Sequence, residues 1–251
     1  MISWTERLPL VSLTTFTLQD FPGRTACILW FTGCQMACPF CHNSDFATGE
    51  GKRIDVEDTL AFLRKRRRML DGVTFSGGEC LLSPSVVPMI RAVKELGYAV
   101  KVDTNGGMPD RLRELIEEGL VDYVAMDFKA PLDDYKRLTG WGDTGLWQRS
   151  LGILRNSKVD FELRTTVHPE LLDEASVNRM LVYLEEQYYR GSYFLQHFQK
   201  APRTLGNVAD ASRRFDLGKL DLLRDFSIGF RNFTTREVQA ATGCMVAVGE
   251  R

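Results

Sequence analysis

The chain has 251 residues, 44% hydrophobic and 26% charged, with a formal net charge of −1, the profile of an ordinary globular protein with one substantial core. The balanced charge excludes general attraction to nucleic acid or to an anionic membrane, and no stretch approaches the roughly 20 consecutive apolar residues of a membrane span. The opening "MISWTERLPLVSLTTF" has no basic start followed by an apolar core, so no export signal is read and a cytoplasmic setting with reduced thiols is expected.

In chain order, the first strong strand signal is "ACILWF" at 26–31. A helix is predicted over 56–70, with Val56, Leu60, Leu63 and Leu70 on one stripe. The strand "GVTF" (72–75) leads to a helix over 83–97, with Ser83 as N-cap and Gly97 as stop. Strand "AVKVD" (99–103) and a helix over 108–119 ending at Gly119 come next. Strands "DYVAM" (122–126) and "FELRTT" (161–166) precede a helix over 176–191 that joins Met180, Leu181 and Leu184. "YFLQ" (193–196) is the sixth strand and "SIGF" (227–230) a candidate seventh. The six strands start at 26, 72, 99, 122, 161 and 193, near the roughly 30-residue spacing of strand–helix–strand units.

Such alternation predicts an α/β fold with a parallel sheet. Six repeats fall short of the eight of a closed barrel, so a partial, open (β/α)6 TIM-like barrel is expected. One domain over 1–251 is read, with a core of about 20–200 and a C-terminal extension, 201–251, of unassigned role. In these folds working residues collect at the C-terminal ends of strands. The cysteine loop follows the first predicted strand, "SGGE" the second, "DTNG" ends the third and "MDFK" the fourth.

Cysteines stand at 27, 34, 38, 41, 80 and 244. Three of them share one short loop, "GCQMACPFCHN", and such concentration marks a metal site rather than a disulfide framework. Cys38, Cys41 and His42 match a c-type haem attachment signature, but that reading leaves Cys34 idle and requires export. A structural zinc site would need four ligands, and adjacent ligands at 41 and 42 suit one tetrahedron poorly. Three thiolates on a four-iron cubane leave one iron open, which accounts for the odd number. Gly33 allows a tight turn into the loop, and Pro39 and Phe40 would stiffen and shield it. The isolated Cys27, Cys80 and Cys244 read as structural.

"CQMACPFC" after one strand and "SGGE" after the next resemble the radical S-adenosylmethionine (SAM) superfamily. Within it, "LQDFPGRTACILWFTGCQMACPFCHN", "KVDTNG", "DYVAMDFKAP" and "ELRTTVHP" resemble the activating proteins of anaerobic ribonucleotide reductase, over about residues 10–200. The resemblance implies that Cys34, Cys38 and Cys41 hold a 4Fe–4S cluster whose open iron binds S-adenosylmethionine. One electron then cleaves that cofactor to methionine and a 5′-deoxyadenosyl radical.

It further implies that Ser76, Gly77, Gly78 and Glu79 meet the methionine end of the cofactor, Glu79 accepting from its amino group. Asp103, Thr104 and Asp127 would hold a monovalent cation beside it, helped by the Ala125 carbonyl, with Lys129 nearby. Simple neutralisation of the rim carboxylates by Lys129 is the competing reading. Arg164 would contact the cofactor, His197 its ribose or adenine, and His42 would support the cluster from behind. Cys80 stands where the family usually has proline.

The implied substrate is a glycine of a glycyl-radical enzyme, most closely an anaerobic ribonucleotide reductase, with a flavodoxin- or ferredoxin-like electron donor. The alternatives are a radical SAM enzyme acting on a small molecule, peptide or RNA base, with residues 198–251 building its pocket, and a non-catalytic zinc- or haem-binding module. The basic run "RKRRR" (64–68) reads as a solvated helix face, or as a docking site for an acidic partner.

Overall fold

The computed structural model describes residues 3–243. In chain order its main elements are α1 (Trp4–Arg7), β1 (Leu10–Thr17), β2 (Ala26–Phe31), α2 (Ser44–Ala47), α3 (Val56–Arg66) and β3 (Gly72–Gly77). Next come α4 (Val86–Glu95), β4 (Ala99–Thr104), α5 (Pro109–Glu117), β5 (Tyr123–Asp127), α6 (Tyr135–Thr139) and α7 (Thr144–Arg155). The chain continues through β6 (Asp160–Val167), α8 (Glu174–Glu186), β7 (Ser192–His197), β8 (Ser227–Arg231) and α9 (Thr235–Thr242). Contacts gather these elements into two units. One comprises the chain up to Ala37, Asn43–Met126 and Asp143–Asp160; the other comprises Cys38–His42, Asp127–Gly142 and the chain from Phe161.

In the first unit the strands lie in the order β1-β2-β3-β4-β5. β2, β3, β4 and β5 are parallel, with Ala26 beside Gly72, Gly72 beside Ala99 and Lys101 beside Tyr123. β1 runs antiparallel to β2, Leu13 facing Leu29. The central strands are buried on both faces, as continuous apolar runs require in a parallel sheet covered by helices. α7 adds the buried Trp147, Leu151 and Leu154 to this core. In the second unit β6, β7 and β8 are parallel in that order, with Glu162 beside Ser192 and Ser192 beside Ser227.

The six expected strands are β2 to β7, and "SIGF" is β8; β1 was not anticipated. Several helix boundaries differ from expectation: α8 runs Glu174–Glu186 rather than 176–191 and α5 Pro109–Glu117 rather than 108–119, while two others have a plain cause. Ser83 does not cap α4: it precedes Pro84, whose ring pushes it to an extended conformation (φ −87°, ψ 126°), and α4 begins three residues later. α3 stops at Arg66 rather than continuing to 70. There Arg67 folds back to donate to the Leu96 and Gly97 carbonyls, both at 2.7 Å, and lies over the Tyr98 ring. Arg64, Lys65, Arg66 and Arg68 are exposed.

The C-terminal extension supplies β8 and α9. Arg231 of β8 is held by a two-pronged ion pair with buried Glu162, at 2.9 and 2.8 Å, and stacks on Phe194. Cys27 and Cys80 are buried, in keeping with structural roles, while Cys244 lies outside the described residues. Among the described residues no helix is long and apolar enough to cross a membrane.

Candidate functional site

β2 hands the chain to the cysteine loop through Gly33, whose φ of +95° favours glycine. Cys34, Cys38 and Cys41 are not joined in disulfides. Cys34 belongs to the first unit, Cys38 and Cys41 to the second.

Around Cys34 the first unit assembles the ends of β3 and β4. Gly78 N–H donates to the Phe31 carbonyl and Glu79 N–H to that of Gly33, both at 2.8 Å. A β-carbon on Gly78 would sit 2.3 Å from the Gly33 oxygen, and one on Gly77 would sit 2.1 Å from that of Phe31. The two glycines therefore permit backbone-to-backbone approach between strand ends, independent of any ligand. Glu79 is 1% exposed. Its carboxylate accepts from Thr104 Oγ1 (3.0 Å to each oxygen), from Asn105 N–H at 2.6 Å and from Leu81 N–H at 3.0 Å. Ser76 Oγ donates to Asp103 Oδ2 at 3.1 Å, while the other Asp103 oxygen pairs with buried Lys101.

In the second unit Cys38 meets charge of both signs, from Lys129 and Asp127. Cys41 N–H donates to the Cys38 carbonyl at 3.1 Å, and two amides of the C-terminal extension hold the loop: Leu205 N–H to the Cys41 carbonyl at 3.2 Å and Gly206 N–H to that of Pro39 at 2.8 Å. Asp127 pairs with Lys129 at 3.0 Å through one oxygen and with Arg164 at 3.1 Å through the other. Burial works against that carboxylate's charge, yet Lys129 and Arg164 hold its pKa below the ordinary range. Burial also pushes the Cys38 thiol up, and the Lys129 ammonium pulls against it. A cation beside a cysteine favours the thiolate that a metal requires.

His197, at the end of β7, hydrogen-bonds through Nδ1 with the Phe198 carbonyl at 2.8 Å and packs edge-on against Phe233. With His168, Phe198, Ser212, Arg213 and Arg214 it lines a cavity of 250 Å³ of mixed polar and apolar lining within the second unit. His42 is exposed, its ring 5.0 Å from that of Phe198. Ala125 is buried within β5.

The donor set fits an iron–sulfur cluster: three thiols outside any disulfide within eight residues, on a loop pinned by backbone hydrogen bonds. Among the described residues no three His, Cys, Asp or Glu side chains gather as ligands of a single metal ion. The carboxylates expected at a cation are instead engaged by lysine and arginine. Sequence reasoning overlooked Lys101, Gln35 and Asn105. Lys101 was recoverable, since i and i+2 on a strand share a face and Asp103 is its i+2 neighbour. For the two amides no such signal exists.

The radical SAM superfamily model matches residues 28–178. A relative in Methanocaldococcus jannaschii, assigned by name to the glycyl-radical enzyme activating enzymes, is 31% identical over 80% of this chain and 90% of its own length. The pyruvate formate-lyase-activating enzyme of Clostridium pasteurianum is 34% identical over 68% of this chain and 73% of its own. Among solved structures, Streptococcus suis SuiB bound to S-adenosylmethionine gives a TM-score of 0.56 at 13% identity, covering 86% of this chain. The protein anSMEcpe with bound AdoMet gives 0.58 at 16% identity, covering 75%. The chain spans about half the length of those two structures, 53% and 55%, and at such identities they establish the shared α/β fold alone. The chain belongs to the radical SAM superfamily and, within it, to the glycyl-radical enzyme activating enzymes.

Proposed function

We propose that the chain, acting as a single radical SAM domain in the cytoplasm, generates a glycyl radical on an anaerobic ribonucleotide reductase, using a flavodoxin- or ferredoxin-like protein as one-electron donor. The observation that carries this reading is the loop of three cysteines, none in a disulfide, after β2, in a chain of this family. The choice of reductase rests on the resemblance of "LQDFPGRTACILWFTGCQMACPFCHN" and "ELRTTVHP". The relative from C. pasteurianum favours a second reading, in which the partner is a pyruvate formate-lyase.

Cys34, Cys38 and Cys41 would hold the 4Fe–4S cluster. When bound, that cluster and S-adenosylmethionine supply one electron and a 5′-deoxyadenosyl radical able to take hydrogen from a glycine α-carbon. Ser76 and Asp103 offer a hydroxyl and a carboxylate suited to an ammonium group; Lys129 and Arg164 offer cations suited to a carboxylate. His197, half-buried beside a cavity of mixed lining, suits a ribose or a base. Gly77 and Gly78 set the course of the loop between Ser76 and Glu79. We assign Glu79 and Thr104 to fixing the β3 and β4 loops, because both are spent on one another. A monovalent cation at Asp103, Thr104 and Asp127 would have to displace Lys101, Lys129 and Arg164, so the pairing supports carboxylates neutralised from within the chain.

The test is anaerobic. Reconstituted, reduced protein is mixed with S-adenosylmethionine and, in parallel, with an anaerobic reductase and a pyruvate formate-lyase, and the glycyl doublet is read by electron paramagnetic resonance. A doublet on the reductase alone is expected. A doublet on the lyase alone moves the partner to the second reading, and cofactor cleavage with neither sinks both.

A further inference from the structure

Asn105 follows β4 directly and is 4% exposed. Its side-chain Nδ2–H donates to Cys34 Sγ at 3.6 Å, and the backbone N–H of Met36 donates to the same sulfur at 3.4 Å. The amide's orientation is fixed. Its Oδ1 accepts from Gly107 N–H at 2.9 Å, a backbone donor that cannot exchange roles, so the Nδ2 side must face the sulfur. Gln35 adds a reciprocal pair: its Nε2 donates to Asn105 Oδ1 at 2.9 Å, and its Oε1 accepts from Asn105 Nδ2 at 3.2 Å. The Asn105 backbone N–H is tied to Glu79 at 2.6 Å. Gly107 leaves room for this arrangement and for nothing more, since a β-carbon there would lie 2.2 Å from Gln35 Nε2.

A donor aimed at a cysteine sulfur acts on charge. A cluster gains negative charge when reduced, and part of it falls on the ligating sulfurs. An N–H directed at one of them therefore favours the reduced form, and hydrogen bonds to sulfur are a recognised lever on iron–sulfur potentials. We propose that Asn105 is a positioning residue for the cluster and that the Gln35–Asn105 amide pair, acting through Cys34, raises its reduction potential. The proposal rests on the reading of Cys34 as a cluster ligand.

The test uses the full chain, reconstituted anaerobically, as wild type, Asn105→Leu and Gln35→Leu. Each is assayed for iron and titrated with a graded reductant while the reduced cluster is followed by electron paramagnetic resonance. Iron stays at about four per chain. Asn105→Leu makes reduction about tenfold less favourable, a fall of about 59 mV for one electron. Gln35→Leu shifts the potential the same way by less, because Gly107 still holds the Asn105 amide. Unchanged potentials in loaded variants overturn the proposal while leaving the cluster reading intact. A wild type that binds no iron removes both. Should Asn105→Leu fail to fold, Gln35→Leu decides alone, and an unchanged potential there overturns the proposal.

Discussion

Replacing Glu79 by glutamine tests whether its carboxylate serves the fold or the cofactor. Thr104 Oγ1 reaches both carboxylate oxygens, Leu81 N–H meets Oε1 and Asn105 N–H meets Oε2. A glutamine amide has one oxygen and one NH2, so either orientation sets a donor against a backbone donor. A hydrogen bond to a charged group contributes roughly 1.5–3 kcal/mol, and a buried donor left unsatisfied costs roughly 1–3 kcal/mol. Relief of the buried charge offsets part of this, leaving a net loss of about 3 kcal/mol. At roughly 2–4 °C per kcal/mol for a chain of this size, the thermal midpoint should fall by about 6–12 °C. Circular dichroism melts of the cluster-free and cluster-loaded chain measure it, and the drop should appear in both. A midpoint within about 2 °C of wild type, together with a raised KM for S-adenosylmethionine, would refute the structural assignment and return Glu79 to the cofactor.

Gly78→Ala drives a β-carbon into the backbone oxygen of Gly33. It should cost about 1–3 kcal/mol and reduce iron retention, and wild-type melting with full iron would contradict this. Gly206→Ala sets a β-carbon 2.5 Å from Pro39 Cβ, so the extension must lift from the cysteine loop. Faster iron loss to a chelator is expected, and equal rates would show that the clamp is idle. Glu174 opens α8 and takes both prongs of Arg213, at 2.6 and 2.7 Å. The Arg213 hydrogen bonds hold its carboxyl at about 2, against an ordinary 4.5. The resulting stability is complete above pH 4.5 and fades as pH falls toward 2. Melts of the cluster-free chain between pH 6 and 3 should therefore show an acid limb that Glu174→Gln flattens; an identical limb in the variant contradicts the assignment.

The parallel strands were legible because "ACILWF" and "GVTF" are apolar throughout, as strands buried on both faces must be. β1 was not, since "LVSLTTFT" mixes threonine with apolar residues in no strict alternation. The start of α4 was misplaced because the serine reads as a cap unless the following proline is given weight. The three cysteines announced themselves by spacing alone. What spacing does not contain is direction: "SGGE" names a glutamate at a strand end, and only packing shows that it faces inward, toward Thr104. Asn105 reads as ordinary turn material in "DTNG" until the sulfur beside it is located.

These hidden directions share a logic. Gly78 and Glu79 bond back to Phe31 and Gly33; Glu79 bonds across to Thr104 and Asn105; Asn105 returns to Cys34. The ends of β2, β3 and β4 are thereby closed into one circuit that finishes on a cysteine sulfur. A cysteine loop entered through glycine would otherwise sample many conformations, and ordering it costs about 1–2 kcal/mol per residue in backbone entropy. The circuit meets that cost with buried, charge-assisted hydrogen bonds inside a single folded unit, before any cluster binds. It follows that the motifs at the ends of β3 and β4 shape the position of Cys34 as much as they serve any ligand. Substitutions that break the β3 side of the circuit, as Gly78→Ala does, should therefore disturb iron binding before they disturb the cofactor, whereas Asn105→Leu, at its last step, leaves iron loading intact.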